Sequence, residues 1–163
     1  MAFSVTPCYL PLDQRGKLYA DILALPPQES VVYLETDIWV EVEEEILVTM
    51  PNLEALYILK TVVDDGFLLP DPNGPNANTK LIPSLRRLYL EDSLWAYGEF
   101  GPLFHYVTHQ TSGNHPFSLY LFGKHSHIHS GTAKEMEGLV EEFVFDRTVK
   151  CPFHECGEEE YGW

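Results

Sequence analysis

The sequence predicts an α/β array of four to five stacked units, each contributing one strand to a parallel sheet, and three observations predict it. Five short runs share the frame apolar-x-x-apolar-x-apolar, ending Val32-Tyr33-Leu34, Leu56-Tyr57-Ile58, Leu88-Tyr89-Leu90, Leu119-Tyr120-Leu121 and Phe143-Val144-Phe145. Their last apolar residues stand at 34, 58, 90, 121 and 145, giving spacings of 24, 32, 31 and 24. Self-similarity at such a period belongs to stacked supersecondary units and not to an ordinary mixed domain. Between the runs lie segments whose apolar residues recur at helical spacing.

The first such segment is a helix over 13–25, with Leu18, Tyr19, Ile22 and Leu25 on one face and Pro26-Pro27 as its stop. The strand around Tyr33 follows. A second helix over 38–50 buries Trp39, Val42, Ile46, Leu47 and Met50. Thr36 or Asp37 caps its start, where Glu41 and Glu43 suit the positive end of the helix dipole. After the strand around Tyr57, the turn formers of 70–76, Pro-Asp-Pro-Asn-Gly-Pro-Asn, break both periodicities and stretch the unit. Residues 94–101, holding Trp95, Tyr97 and two glycines, stretch the next. Pro102 opens a third helix through about residue 110 that buries Leu103, Phe104 and Val107 and ends at Ser112-Gly113-Asn114. A shorter helix over 132–139 offers Ala133, Met136 and Leu139. The predicted order is α-β-α-β-loop-β-α-β-α-β.

Alternation along each strand separates two faces. Leu53, Leu56 and Ile58 match Leu85, Leu88 and Leu90 on the inward side, continued by Leu119, Leu121, Phe143 and Phe145. Outward stand Tyr33, Tyr57, Tyr89, Tyr120 and Val144, and two residues on come Glu35, Leu59, Glu91, Phe122 and Asp146. Strands about 4.8 Å apart bring such side chains into contact. The expected partner-binding residues are Tyr33, Tyr57, Tyr89, Tyr120, Glu35, Glu91, Phe122 and Asp146. Tyrosine combines an apolar ring with a polar tip, which suits an interface as well as a sheet surface.

Composition narrows the partner. The 163 residues include 10 Lys+Arg against 25 Asp+Glu, a formal net charge of −15. Such a field repels phosphate backbones and anionic lipid, so nucleic acid and membrane are poor candidate partners, none is expected, and a basic or apolar protein is favoured. No run approaches the ~20 apolar residues of a membrane span, and the N-terminus lacks the basic and apolar regions of a signal peptide. Three cysteines, Cys8, Cys151 and Cys156, argue against a disulfide scaffold. The expected location is cytoplasmic or nuclear.

Pro51-Asn52-Leu53-Glu54-Ala55-Leu56-Tyr57-Ile58 and Pro83-Ser84-Leu85-Arg86-Arg87-Leu88-Tyr89-Leu90 carry L-x-x-L-x-L, each with a proline two residues ahead. They resemble the irregular leucine-rich repeats of fungal F-box/leucine-rich-repeat proteins. The stretch 50–93, including Asp-Gly-Phe-Leu-Leu-Pro-Asp-Pro at 65–72, is similar to mushroom-type members. The resemblance implies a leucine-rich-repeat-like solenoid over 13–148, with the parallel sheet on its concave face and substrate contacts there. It also implies substrate recognition for a ubiquitin ligase through an upstream F-box. No F-box is recognisable: 12 residues precede the first expected helix, and 13–50 do not resemble one. Residues 1–12 are expected as an N-terminal extension or edge strand, and 149–163 as an acidic tail whose composition permits disorder. Pro7 and Pro11 suit a covering edge strand at 9–12, and a first strand left uncovered predicts a homodimer through that edge.

The alternative reading is a metal-binding protein or metal-dependent enzyme. His125, His127 and His129 alternate as strand residues do, His105 and His109 lie at i,i+4 of a helix, and Cys151, His154 and Cys156 crowd into six residues. No partnered carboxylate or HExxH motif accompanies the helical pair, and the cysteine cluster is one ligand short of a structural zinc site. There is also no Gly-x-Ser-x-Gly, no phosphate-binding Gly-x-x-x-x-Gly-Lys-Ser/Thr and no Gly-x-Gly-x-x-Gly. No catalytic residue, metal or cofactor is therefore assigned.

Overall fold

The computed structural model describes residues 2–5, 27–37, 47, 49–59, 62–63, 67–69, 80, 82–95, 101–123 and 130–146. Six strands form one sheet in the order β1 (Ala2–Val5), β2 (Tyr33–Asp37), β3 (Ala55–Leu59), β5 (Arg87–Glu91), β7 (Ser118–Phe122) and β8 (Glu142–Asp146). Every neighbouring pair is parallel. A second, two-stranded parallel sheet pairs β4 (Val62–Val63) with β6 (Leu94–Trp95). The described helices are α1 (Gly101–Thr111) and α2 (Ser130–Glu137). The architecture is α/β with a parallel sheet, and spatial order follows chain order throughout the large sheet.

Each of three strands is launched by the same device. A tight turn brings the amide of Val31 to the carbonyl of Gln28 (3.1 Å), that of Leu53 to Met50 (3.1 Å) and that of Leu85 to Ile82 (3.2 Å). The carbonyl of Val32 then accepts from both Glu54 and Ala55, and that of Glu54 from both Arg86 and Arg87. Turn side chains tie one unit to the next: Asn52 Nδ2 donates to the carbonyl of Glu29 (2.8 Å), and Ser84 Oγ to that of Pro51 (2.6 Å). Proline at positions 51 and 83 suits these turns because its missing N–H is not needed and its φ is already set.

The inward columns run Leu34, Leu56, Leu88, Leu119, Phe143 and Thr36, Ile58, Leu90, Leu121, Phe145 in direct register. They join Met50, Leu53, Ile82 and Leu85 from the turns, Leu103, Tyr106 and Val107 from α1, and Met136 from α2 in one core. Both helices thus cover the same face. Gln110, 1% exposed, fastens α1 to the sheet by donating Nε2 to the carbonyls of Ile82 and Leu85, both at 3.1 Å. Lys80 Nζ donates to the carbonyls of Gln110 (2.5 Å) and Ser112 (2.9 Å), satisfying acceptors that the helix end leaves open. Gly113 (φ +83°) and Asn114 (φ +59°) stop the helix as their residue types predict.

The expected β2 register is corrected. The spacing aligned Tyr33 with Tyr57 and Leu34 with Ile58, whereas the sheet pairs Tyr33 with Ala55, Leu34 with Leu56 and Glu35 with Tyr57. The buried frame of this unit is Val31, Leu34 and Thr36, and Thr36 is 4% exposed at a position its neighbours fill with leucine or isoleucine. A hydroxyl residue at an apolar position hid the frame, and Val32-Tyr33-Leu34 imitated it. The slip of two residues leaves each face unchanged, because strand side chains alternate with period two.

The short β4–β6 pair was not anticipated. Leu47 is helical and, with Met50, buried. Of the helix expected at 38–50, residues 38–46 and 48 lie outside the described residues and 49–50 are not helical. The helix at 13–25, the strand cover at 9–12, the loop at 70–79 and the tail at 149–163 also lie outside the described residues. No helix among the described residues is long and apolar enough to cross a membrane.

Candidate functional site

The sheet face opposite the helices carries a second, separate apolar cluster. Tyr57 and Phe122 form its buried part, with Tyr33, Leu59, Tyr89, Tyr120 and Val144 packed around them. Its residues come from strand positions of one parity, so the alternation that buries the leucines also gathers these rings.

The central row reads Glu35, Tyr57, Tyr89, Tyr120, Val144 across β2, β3, β5, β7 and β8. Tyr89 and Tyr120 stack face to face, with centroids 4.4 Å apart and planes 11° from parallel. Tyr57 meets Tyr89 at 6.1 Å and 43°. In-register parallel pairing allows the stack, since identical residues on adjacent strands stand about one strand spacing apart, although the equally registered Tyr57 is tilted.

Carboxylates hold the phenol tips. The hydroxyl of Tyr57 donates to Glu91, that of Tyr120 to Glu142 at 2.5 Å, and that of Tyr33 to Glu35 at a long 3.4 Å. Burial, the hydrogen bond to Glu142 and the proximity of Tyr89 and Glu142 push the Tyr120 phenol up to about 12. It stays neutral and donating throughout the ordinary pH range.

The face has a covered half and an open half. Tyr57 is 1% exposed, Glu91 6%, Phe122 7% and Glu35 8%, so four of the eight expected partner-binding residues are interior side chains. Tyr33, Tyr89, Tyr120 and Asp146 are half-buried. Around Tyr89 and Tyr120 the accessible residues are Arg87 and Glu142, which are exposed, and the half-buried Val144. Arg87 and Glu142 are not among the expected residues, because the tyrosine motif points to positions forward along each strand and these two lie behind it. Stepping two residues backward from Tyr89 and from Val144 reaches the same face.

On α1, His105 is exposed and His109 half-buried. Burial, then the positive charge of Lys80, then His105 all lower the pKa of His109. Among the described residues no three His, Cys, Asp or Glu side chains come together as metal ligands. His125, His127 and His129 lie outside the described residues, as do Cys151, His154 and Cys156. No family model, curated protein or solved structure matches this chain.

Proposed function

We propose that the protein is a protein-binding module, a leucine-rich-repeat-like solenoid whose sheet face opposite the helices receives a basic partner. The observation that carries this reading is the stacked Tyr89–Tyr120 pair, half-buried on a face that no described helix covers. Large flat rings with polar tips anchor interfaces at small entropic cost. The repeated turn-and-strand device and the in-register leucine columns support the solenoid.

Charge supports the choice of partner. Glu142 and Asp146 border the open half, and the whole chain carries −15. Opposite charge steers encounter and rejects acidic competitors more than it adds affinity. The resemblance to F-box/leucine-rich-repeat proteins makes the partner a candidate ubiquitin-ligase substrate, which the module recognises while another component supplies the adaptor contact.

The test is capture from fungal lysate with the wild-type chain and with Tyr89→Ala/Tyr120→Ala as baits, read by mass spectrometry. The same partner on both baits at equal yield would contradict the proposal. Loss on the variant, with the variant still folded by circular dichroism, supports it. Co-recovery of a ligase adaptor on the wild type would extend the reading to ligase recruitment.

A further inference from the structure

Among the described strands, the tyrosine stack ends one strand before the sheet does. Tyr89 and Tyr120 occupy the central row on β5 and β7, and on β8 that row holds Val144. The 4.4 Å ring separation is close to the strand spacing of about 4.8 Å, so the stack runs across the strands. Tyr89 occupies one face of Tyr120, and the next position of the row, on β8, holds Val144, whose side chain is far smaller than a third ring. Val144 and Tyr120 are both half-buried, so each keeps some accessible surface at this step.

On β8, Glu142 and Asp146 stand two residues to either side of Val144 and therefore share its face. The Glu142 carboxylate already accepts the Tyr120 hydroxyl at 2.5 Å, and an ionised carboxylate has further acceptor sites. The step is thus bounded by an aromatic face, floored by an apolar side chain and bordered by acids. A planar cation with several donors on its edge matches all three.

Resting on the partner-binding reading above, we propose that the step over Val144 is a slot for an arginine side chain of the partner, whose guanidinium continues the Tyr89–Tyr120 stack and donates to Glu142. Arginine fits better than lysine because its guanidinium is flat, weakly hydrated and stacks on rings, while an ammonium is a compact, strongly hydrated point. The positive Arg87 stands on β5, with β7 between it and β8.

The test titrates isotopically labelled protein with the peptide acetyl-Gly-Ser-Arg-Ser-Gly-amide, following the Val144 methyl and Tyr120 ring resonances. A single side-chain contact of this kind is expected to saturate at about millimolar concentration. Replacing the arginine by citrulline, its neutral counterpart, should weaken binding at least about tenfold, as should Glu142→Gln in the protein. Val144→Tyr fills the slot with the residue that β5 and β7 carry in the same row, so it should fold and lose the response. Shifts that are absent, equal for the citrulline peptide, or preserved in Val144→Tyr would each overturn the proposal. If they fail while partner capture still depends on Tyr89 and Tyr120, the slot falls and the binding face stands. If capture is also indifferent to those tyrosines, both fall.

Discussion

The Tyr57 hydroxyl donates to the Glu91 carboxylate on the adjacent strand, two residues along from its register partner Tyr89. Both side chains are buried, at 1% and 6% exposure, so the pair is part of the interior although it lies on the face away from the main core. A buried carboxylate that loses a donor keeps its desolvation cost. Tyr57→Phe should therefore destabilise the protein by about 2 kcal/mol in urea denaturation. Adding Glu91→Leu should recover part of that loss, because it removes the buried carboxyl left without this donor. Simple additivity of the two changes would show that the bond contributes nothing of its own.

Gly123 makes a different kind of demand. Its φ is +96°, and a Cβ there would fall 2.1 Å from Asp92 Oδ1 and 2.9 Å from the Asp92 backbone nitrogen. Gly113 has a comparable φ of +83° with nothing within 4 Å of the same position. Gly113→Ala should cost about 1 kcal/mol through backbone strain alone. Gly123→Ala should cost roughly 2–3 kcal/mol, because strand-end backbone must also move. Equal midpoint shifts for the two variants would mean that the close approach to Asp92 relaxes freely.

Tyr106 is 2% exposed and packs edge-on against Phe67 (5.9 Å, 77°) and Phe117 (6.1 Å, 76°). Its hydroxyl is buried without a hydrogen-bond partner among the described residues, and burial raises its pKa strongly. Removing a buried polar atom that has no partner relieves a desolvation penalty. Tyr106→Phe should raise stability by about 1 kcal/mol, seen as a later thermal or urea midpoint. A clear loss of stability would reveal a partner for that hydroxyl.

The Tyr120 phenol gives the face a pH signature. Its pKa rises from 10.0 to about 12 on folding, which favours the neutral form in the native state. Its contribution to stability is therefore complete below pH 10 and is lost as pH rises from there through about 12. The stability difference between wild type and Tyr120→Phe should shrink across that window and stay constant below it. Titration of the Tyr120 ring carbon near 10 would contradict the pairing with Glu142.

The strands were legible in the sequence because leucine columns and alternation are local signals that tertiary packing reinforces. Leu56, Leu88 and Leu119 fell into register as their spacing implied. The stop at Gly113-Asn114 was equally plain, since few residues adopt positive φ cheaply. The β2 register was obscured by Thr36, where one hydroxyl residue broke the apolar frame, and β4 and β6 are too short to show a period. Which tyrosines stay accessible was not legible at all. Tyr57 and Tyr89 share a motif and a register position, yet Tyr57 is interior and Tyr89 half-buried. Coverage depends on what the rest of the chain places over each strand, and no pattern within a strand records it.

Site-specific photo-crosslinking in cells tests whether partners dock on the tyrosine face, as proposed. Arg87 is exposed on that face, and His105 is exposed on α1, on the opposite side of the sheet. A photoreactive residue at position 87 should yield a discrete partner adduct that Tyr89→Ala/Tyr120→Ala abolishes, while position 105 yields none. An adduct from 105 with none from 87 would place the interface on the helical side and contradict the proposed docking face.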